Sequence, residues 1–190
     1  MIETSGLTKR FDDILAVDHI SAKIRDGSVF GLIGTNGAGK STFLRMVSGI
    51  LKPDEGEVLI DGENVYENPA VKSRFFYISD DQYFFANGTP LELMKFYKSI
   101  YPAFDEPRFF HLLQSFDLDK KRKISTFSKG MKRQAAIVLA LSSCPKYMFF
   151  DETFDGLDPV MRNLIKAIIC QEVEDRHAVA VITSHSLREL

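Results

Sequence analysis

The segment from Gly34 to Ser41 combines residue types that bind phosphate. It reads Gly-Thr-Asn-Gly-Ala-Gly-Lys-Ser and fits the pattern G-x-x-x-x-G-K-[ST]. Glycines let backbone N–H groups close around phosphate oxygens, and a helix that begins near Lys40 adds its positive dipole end. In such a loop the lysine reaches the β- and γ-phosphates and the hydroxyl coordinates Mg²⁺. The residues expected to contact a nucleotide are Gly34, Asn36, Gly37, Ala38, Gly39, Lys40, Ser41 and Thr42.

Two carboxylates, Asp151 and Glu152, follow the apolar run from Tyr147 to Phe150. The end of a strand delivers its last side chains to the crevice above the sheet, where α/β folds bind ligands. Asp151 is therefore expected to hold Mg²⁺ through water, and Glu152 to polarise the water that attacks the γ-phosphate. Many strands end in acids at a solvent boundary. The functional interpretation of this pair therefore depends on the candidate phosphate-binding segment upstream.

Short apolar segments alternate with helical segments around these residues. The predicted strands cover 28–33, 56–62, 75–79, 147–150 and 178–183, and the predicted helices cover 40–48, 132–142 and 159–170. Alternation of this kind, with hydrophobic and β-branched strands, indicates a mostly parallel sheet covered on both faces. The predicted fold class is α/β.

The stretch between residues 83 and 128 has a different character. Thr89-Pro90-Leu91-Glu92 is a helix-start signature, and a second apolar-periodic helix follows Pro107. We predict a helical subdomain at about 83–128, inserted into a core made of residues 1–80 and 129–190.

Composition excludes several classes of function. The chain has 190 residues and a net charge of −2, so it carries no electrostatic footprint for nucleic acid. No apolar run approaches the roughly 18 residues that a membrane span needs. The first residues lack the basic and apolar regions of a secretory signal. We expect one domain that has no nucleic acid partner.

A second candidate phosphate-binding helix end lies at Phe127-Ser128-Lys129-Gly130-Met131. Serine and glycine at a helix N-terminus form an anion site, although Ser128 could serve only as the helix cap. The segment resembles the signature of ABC ATPases, which is L-S-G-G-Q in its common form. The match is partial, because Ser128 and Gly130 agree and the other three positions differ.

Three further residues are similar to landmarks of that family and occur in the same order. Phe11 lies where the family has an aromatic residue that stacks on adenine, with a core phenylalanine as the alternative. Asp158, in the run Asp155-Gly156-Leu157-Asp158, resembles the end of the D-loop, which crosses a dimer interface, and is also a suitable helix cap. His185 resembles the switch histidine that contacts the γ-phosphate.

The family also has a glutamine after the strand at 75–79, where it links Mg²⁺ and the attacking water to the helical insertion. The segment here reads Ser79-Asp80-Asp81-Gln82-Tyr83. Counting back from Thr89 places Asp80 at that position, whereas residue type alone favours Gln82. We expect Asp80 to approach the metal, because a carboxylate also binds Mg²⁺.

The resemblance implies a P-loop NTPase (RecA-like) core that binds ATP and Mg²⁺ and hydrolyses ATP. In that reading Glu152 activates water, while Lys40 and His185 stabilise charge on the γ-phosphate. It also implies a head-to-tail dimer with a second ATPase subunit, identical or different. ATP would then be contacted across the dimer interface by Ser128, Gly130 and Asp158.

A membrane-spanning transporter subunit is the other implied partner, which would place the chain in the cytoplasm at the inner face of the cell membrane. The motif variants look most like those of bacterial exporters of the ABC-2 type. Tyr83, Phe84 and Phe85 are expected on the docking surface, whereas Phe96 and Phe109 are expected in the local core. Family members continue well past the position of His185, so the chain is expected to lack a C-terminal part.

Two other functions remain open at this stage. One is a soluble ABC ATPase that acts on the ribosome or on DNA, although such proteins typically carry paired ATPase domains or a long coiled coil. The other is an ABC-like interaction module without hydrolysis, against which Glu152 and His185 argue.

Overall fold

The computed structural model describes residues 1–186. This part of the chain contains eight strands and six α-helices. The strands are β1 (Ile2–Phe11), β2 (Ile14–Ile24), β3 (Ser28–Ile33), β4 (Glu55–Ile60), β5 (Glu63–Asn64), β6 (Phe75–Ile78), β7 (Tyr147–Asp151) and β8 (Val179–Ser184). The helices are α1 (Lys40–Val47), α2 (Pro69–Lys72), α3 (Pro90–Ile100), α4 (Glu106–Ser115), α5 (Lys129–Ser142) and α6 (Pro159–Arg176).

Strands β3, β8, β7 and β6 form a parallel sheet in that order. The central strands β7 and β8 are buried along their whole length, which explains their unbroken apolar sequences. In register, Phe150 of β7 lies beside Ile78 of β6 and Ile182 of β8. The carboxyl ends of these strands therefore meet at one edge, and the predicted α/β class with a parallel sheet is confirmed.

Strands β2, β1, β4 and β5 form a second sheet, which is antiparallel. Only the strand at 56–62 was predicted for this region, and it corresponds to β4. The pairing of β1 with β2 is interrupted by three register shifts. Each shift breaks the alternation of apolar and polar residues, which is why the sequence pattern did not reveal these two strands.

Side-chain caps begin the helices of the central region. Thr89 and Glu92 form the predicted capping box at the start of α3. Ser128 caps α5, so this helix starts directly after it rather than at residue 132. Helix α6 runs to Arg176, beyond its predicted end at residue 170. Within residues 1–186, no helix is both long and apolar enough to cross a bilayer.

The two faces of the parallel sheet belong to different hydrophobic clusters. Phe149 packs with α1 and the antiparallel sheet, whereas the next residue, Phe150, packs with α5, α6 and the inserted helices. Leu93 of α3 and Phe109 of α4 belong to the second cluster. The insertion thus shares a core with the sheet, and its exact division from the core domain stays a prediction.

Candidate active site

The predicted phosphate-binding loop connects β3 to α1. Gly39 has a φ of 82°, in the left-handed region that favours glycine. A Cβ atom at this residue would lie 2.1 Å from the carbonyl oxygen of Ala16, which leaves no room for any side chain. Both the backbone conformation and the close approach of β2 therefore require the last glycine of the motif.

The Lys40 side chain turns back over this loop and is almost completely buried. Its ammonium group donates hydrogen bonds to the carbonyl oxygens of Gly34, at 2.8 Å, and Thr35, at 3.1 Å. The same Nζ atom lies 3.3 Å from Oε1 of Glu152. The structure thus brings together two of the predicted catalytic residues, which lie far apart in sequence.

Asp151 is fully buried and is surrounded by hydroxyl groups. Its Oδ1 atom accepts hydrogen bonds from Ser41 at 2.8 Å and Thr183 at 2.9 Å, and its Oδ2 atom accepts one from Tyr77 at 2.9 Å. Burial, together with the Asp151 carboxylate, raises the pKa of Tyr77, so this phenol remains a donor. Tyr77 and Thr183 were not predicted as site residues, although both belong to predicted strands whose ends adjoin Asp151.

The donor set around Ser41 fits Mg²⁺. A hydroxyl and a carboxylate are hard oxygen ligands, and Mg²⁺ usually keeps several waters while it takes one or two protein ligands. Ser41 and Asp151 meet that requirement side by side. Their juxtaposition agrees with the predicted metal role of both residues, which stays a prediction.

Glu152 is held in an unusual backbone conformation. Its φ of 46° lies in the left-handed region, which non-glycine residues seldom occupy. Its backbone N–H donates a hydrogen bond of 2.9 Å to Oγ1 of Thr183. Backbone strain of this kind clusters at functional sites, where the surrounding structure holds the residue in place.

His185 lies close to this glutamate. Its Nδ1 atom is 3.2 Å from Oδ2 of Asp155, and ligand atoms of Glu152, Asp155 and His185 all lie within 4.8 Å of one another. The strand β8 positions the histidine, because the chain leaves the sheet directly after Ser184. The structure therefore places His185 beside Glu152, and its role at the γ-phosphate stays a prediction.

Phe11 ends β1 with almost half of its ring exposed. The Lys9 ammonium lies 5.7 Å from the ring centroid. A separate apolar pocket opens beside Lys40, lined among others by Val17, Ile20 and Ile33. Phe11 does not line that pocket, so a base-stacking role for this residue stays a prediction.

The three residues predicted to contact ATP across a dimer have local structural roles as well. Ser128 Oγ accepts a hydrogen bond from the N–H of Met131, and Asp158 caps α6 by accepting one from Met161. A Cβ atom at Gly130 would lie 3.7 Å from the carbonyl oxygen of Gly156. The start of α5 and the segment before Asp158 therefore lie next to each other.

Asp80 does not join the hydrogen-bond network of Asp151 within residues 1–186. Its Oδ1 atom instead pairs with Nη2 of Arg133 at 2.6 Å. Gln82, the other candidate, has a buried Nε2 atom without a hydrogen-bond partner among the described residues. The metal role of Asp80 stays a prediction, and Arg133 is a residue that sequence reasoning missed.

Comparison with known proteins finds relatives that span this chain. It is 33% identical over 190 residues to the ABC transporter ATP-binding protein YtrB of Bacillus subtilis, covering 100% of this chain and 65% of YtrB. It is 32% identical over 193 residues to the bacitracin transport ATP-binding protein BcrA of Bacillus licheniformis, covering 100% of this chain and 63% of BcrA. The chain thus spans a little under two thirds of the length of these relatives.

Solved structures of the same fold agree. An ATP-binding subunit of an ABC transporter superposes with a TM-score of 0.89 at 25% identity, covering 98% of this chain and 80% of that one. A dimeric ATP-binding cassette in a post-hydrolysis state with ADP and Pi gives a TM-score of 0.84 at 22% identity, covering 100% of this chain and 90% of that one. The family model described as ABC transporter matches residues 17–155. This match, together with the relatives, shows that the chain belongs to the ABC transporter family.

Proposed function

We propose that this chain binds ATP with Mg²⁺ and hydrolyses ATP to power a membrane transporter. The observation that carries the proposal is the convergence of four side chains at the carboxyl edge of the parallel sheet. Lys40 lies beside Glu152, and Ser41 lies beside Asp151. A phosphate-binding lysine, a metal-binding hydroxyl and two carboxylates in this arrangement are the groups that phosphoryl transfer to water needs.

Nucleotide binding rests on the loop between β3 and α1. The backbone N–H groups of this loop and the N-terminus of α1 attract phosphate oxygens. In this structure the Lys40 ammonium forms an ion pair with Glu152 and donates hydrogen bonds to two carbonyl oxygens. We infer that the β- and γ-phosphates take over the Lys40 ammonium and so release the Glu152 carboxylate.

Glu152, once released, accepts a hydrogen bond from the attacking water and polarises it. His185 and Lys40 offset negative charge on the γ-phosphate. Bound Mg²⁺ would supply Lewis-acid stabilisation of the phosphate oxygens, and Ser41 and Asp151 would hold it. Tyr77 and Thr183 orient the Asp151 carboxylate through their hydroxyl groups.

A second ATPase subunit completes the proposed site. Ser128 and Gly130 lie at the N-terminus of α5, whose positive dipole end suits a phosphate contributed by the facing subunit. Asp158 lies at the start of α6, and the segment before it adjoins Gly130 through Gly156. We propose that these residues contact ATP bound to the loop of a partner ATPase subunit.

A membrane-spanning subunit is the other proposed partner, at the inner face of the cell membrane. Tyr83 is 87% exposed, and Phe85 and Phe96 are each more than 40% exposed. The rings of Phe85 and Phe96 meet edge to face at 5.1 Å and so form one patch. The expectation that Phe96 belongs to the core is wrong, whereas the same expectation for Phe109 is confirmed. Exposed aromatic patches mark interaction sites.

The proposed ATPase is tested by replacing its phosphate-binding lysine. Lys40→Ala removes the ammonium that faces the phosphates, so Mg-ATP affinity or turnover should fall severely. Isothermal titration calorimetry and a phosphate-release assay measure the two effects. Lys95→Ala, which removes an exposed lysine of α3, is the matched control. Equal ATP binding and hydrolysis in both variants and the parent would end the proposal.

The docking surface is tested by comparing a variant that lacks exposed rings with a variant that lacks a packed ring. Tyr83→Ala combined with Phe85→Ala should impair assembly with the membrane subunit and leave ATPase activity of the isolated chain roughly intact. Phe84 was expected on the docking surface but packs against the core, so Phe84→Ala should lower thermal stability instead. Co-purification with the membrane subunit and thermal unfolding distinguish the two effects. A loss of ATPase activity in the Tyr83/Phe85 variant would show that these rings serve the site itself.

A further inference from the structure

Arg133 is the largest fully buried side chain of the described residues and carries a positive charge. Its Nη2 atom donates a hydrogen bond of 2.6 Å to Oδ1 of Asp80. Its Nε and Nη1 atoms are buried and have no hydrogen-bond partner among the described residues. Buried polar groups are nearly always paired, so two unpaired donors on one guanidinium need an explanation.

The ion pair lies between three segments of the proposed site. Arg133 belongs to α5, whose N-terminus carries Ser128 and Gly130. A Cβ atom at Gly156 would lie 3.6 Å from Nη1 of Arg133, so the guanidinium abuts the loop between Glu152 and Asp158. Asp80 follows β6, and the pairing of Ile78 with Phe150 places it next to the strand end that carries Asp151.

We propose that Arg133 is a positioning residue that holds Asp80 away from the metal side of the site until the 152–158 loop moves. This inference rests on the proposed ATPase function and assigns a new residue to it. The Nε and Nη1 atoms, which have no partner among the described residues, can each donate a further hydrogen bond. A shift of the loop that brings a carbonyl oxygen to either atom compensates the buried charge and frees the Asp80 carboxylate.

The two partners of the ion pair differ in exposure, so loss of the pair affects them differently. The Asp80 side chain is 52% exposed, whereas that of Arg133 is 2% exposed. A released carboxylate therefore loses little, because water solvates it. A buried guanidinium that loses its partner is strongly destabilising unless another acceptor replaces it. The loop and Asp80 thus compete for one cation, which couples the position of the loop to the position of the carboxylate.

This difference in exposure between Arg133 and Asp80 allows a stability test that needs no nucleotide. Asp80→Asn leaves the buried cation uncompensated and should lower the midpoint of urea unfolding clearly. Arg133→Met replaces the cation by an apolar side chain of similar length and should leave the midpoint near that of the parent. The double variant Asp80→Asn/Arg133→Met should recover most of the loss seen in Asp80→Asn, since no buried charge remains.

A metal readout then separates positioning from simple packing. Binding of Mn²⁺ is measured in the presence of a non-hydrolysable ATP analogue, by electron paramagnetic resonance of the free ion. Arg133→Met frees Asp80 permanently, so Mn²⁺ should bind about fivefold more tightly than to the parent. The gain should vanish in the double variant, which lacks the carboxylate. Lys132→Met, which removes the neighbouring cation of α5, should leave Mn²⁺ affinity at the parent value.

The outcomes distinguish this inference from the function on which it rests. Unchanged Mn²⁺ affinity in Arg133→Met, or an equal gain in the double variant, overturns the positioning role while the proposed ATPase stands. If Mn²⁺ affinity rises in Arg133→Met and returns to the parent value in the double variant, the positioning role stands. If the parent chain nevertheless hydrolyses no ATP, the proposed ATPase is contradicted. Equal urea midpoints for Asp80→Asn and the parent would show that the ion pair does not compensate the buried charge.

Discussion

The two ends of the parallel sheet both carry charged clusters, and a single strand, β7, contributes to each. At its amino end, the Tyr147 hydroxyl donates to Asp61 at 2.6 Å, and the neighbouring Lys146 donates to the same Asp61 oxygen at 2.8 Å. At its carboxyl end, Asp151 and Glu152 face Ser41 and Lys40. The same sheet therefore builds two polar clusters of similar composition.

The clusters differ in how completely their groups are satisfied. Within residues 1–186, no side-chain atom of Asp61, Lys146 or Tyr147 is buried without a partner. At the carboxyl end, Arg133 keeps buried donors that have no acceptor in the described part of the chain. Unsatisfied buried groups persist where a ligand or a conformational change can use them. We infer that the amino end stabilises the fold and the carboxyl end serves chemistry.

The largest effect that would test this contrast is expected at Glu152. Glu152→Gln keeps the shape of the side chain and removes its ability to accept a proton, so hydrolysis should fall by about 10²–10⁴-fold. Unfolding stability should stay close to that of the parent, because Lys40 keeps its carbonyl partners. Phosphate release and urea unfolding measure the two quantities. Rapid hydrolysis by this variant would remove Glu152 from the proposed mechanism.

The opposite pattern is expected at Asp61. Asp61→Asn weakens charge-assisted hydrogen bonds from Lys146 and Tyr147, so the free energy of unfolding should fall by about 2–3 kcal/mol. ATP hydrolysis at a temperature where the variant is folded should match the parent. Urea unfolding and phosphate release at neutral pH provide the comparison. A large loss of turnover in the folded variant would mean that the amino end also serves catalysis.

The acid sensitivity of the amino end follows from the same group. Burial alone would raise the pKa of Asp61, but hydrogen bonds from Lys146, the N-terminal ammonium and Tyr147 outweigh it and lower the pKa. A lowered folded-state pKa contributes stability that is present above the unfolded value, near 3.8, and is lost as the pH falls below it. Stability of the parent should therefore drop on acidification below about pH 4, and Asp61→Asn should reduce that drop.

The smallest effect is expected at Phe11, which belongs to neither end of the parallel sheet. If the ring stacks on adenine, Phe11→Ala should weaken ATP binding by about 1 kcal/mol, the low end of base stacking on aromatic side chains. Its exposed position makes a change in stability small. Calorimetry with ATP and with inorganic triphosphate, which lacks a base, isolates the effect. An equal loss for both ligands would assign Phe11 to the fold rather than to the base.

Local patterns predicted local structure well wherever one segment carries both a residue and the groups that support it. The motif at 34–41 sits between a strand and a helix as its spacing requires, and the capping box at Thr89 forms as read from four residues. Tyr77 and Thr183 were missed, because nothing in their own segments shows that three strand ends converge on Asp151. The β1–β2 pair was missed because bulges obscure its alternation.

The sequence by itself determined the α/β class, the glycine-rich loop before α1 and the pair of carboxylates at the end of β7, since these depend on residues adjacent along the chain. Only the tertiary structure decided which charges meet. It paired Lys40 with Glu152 and Asp80 with Arg133. The physical reason is that the stability of an ion pair depends on distance and burial between segments far apart in sequence, and neither quantity can be read from the order of residues.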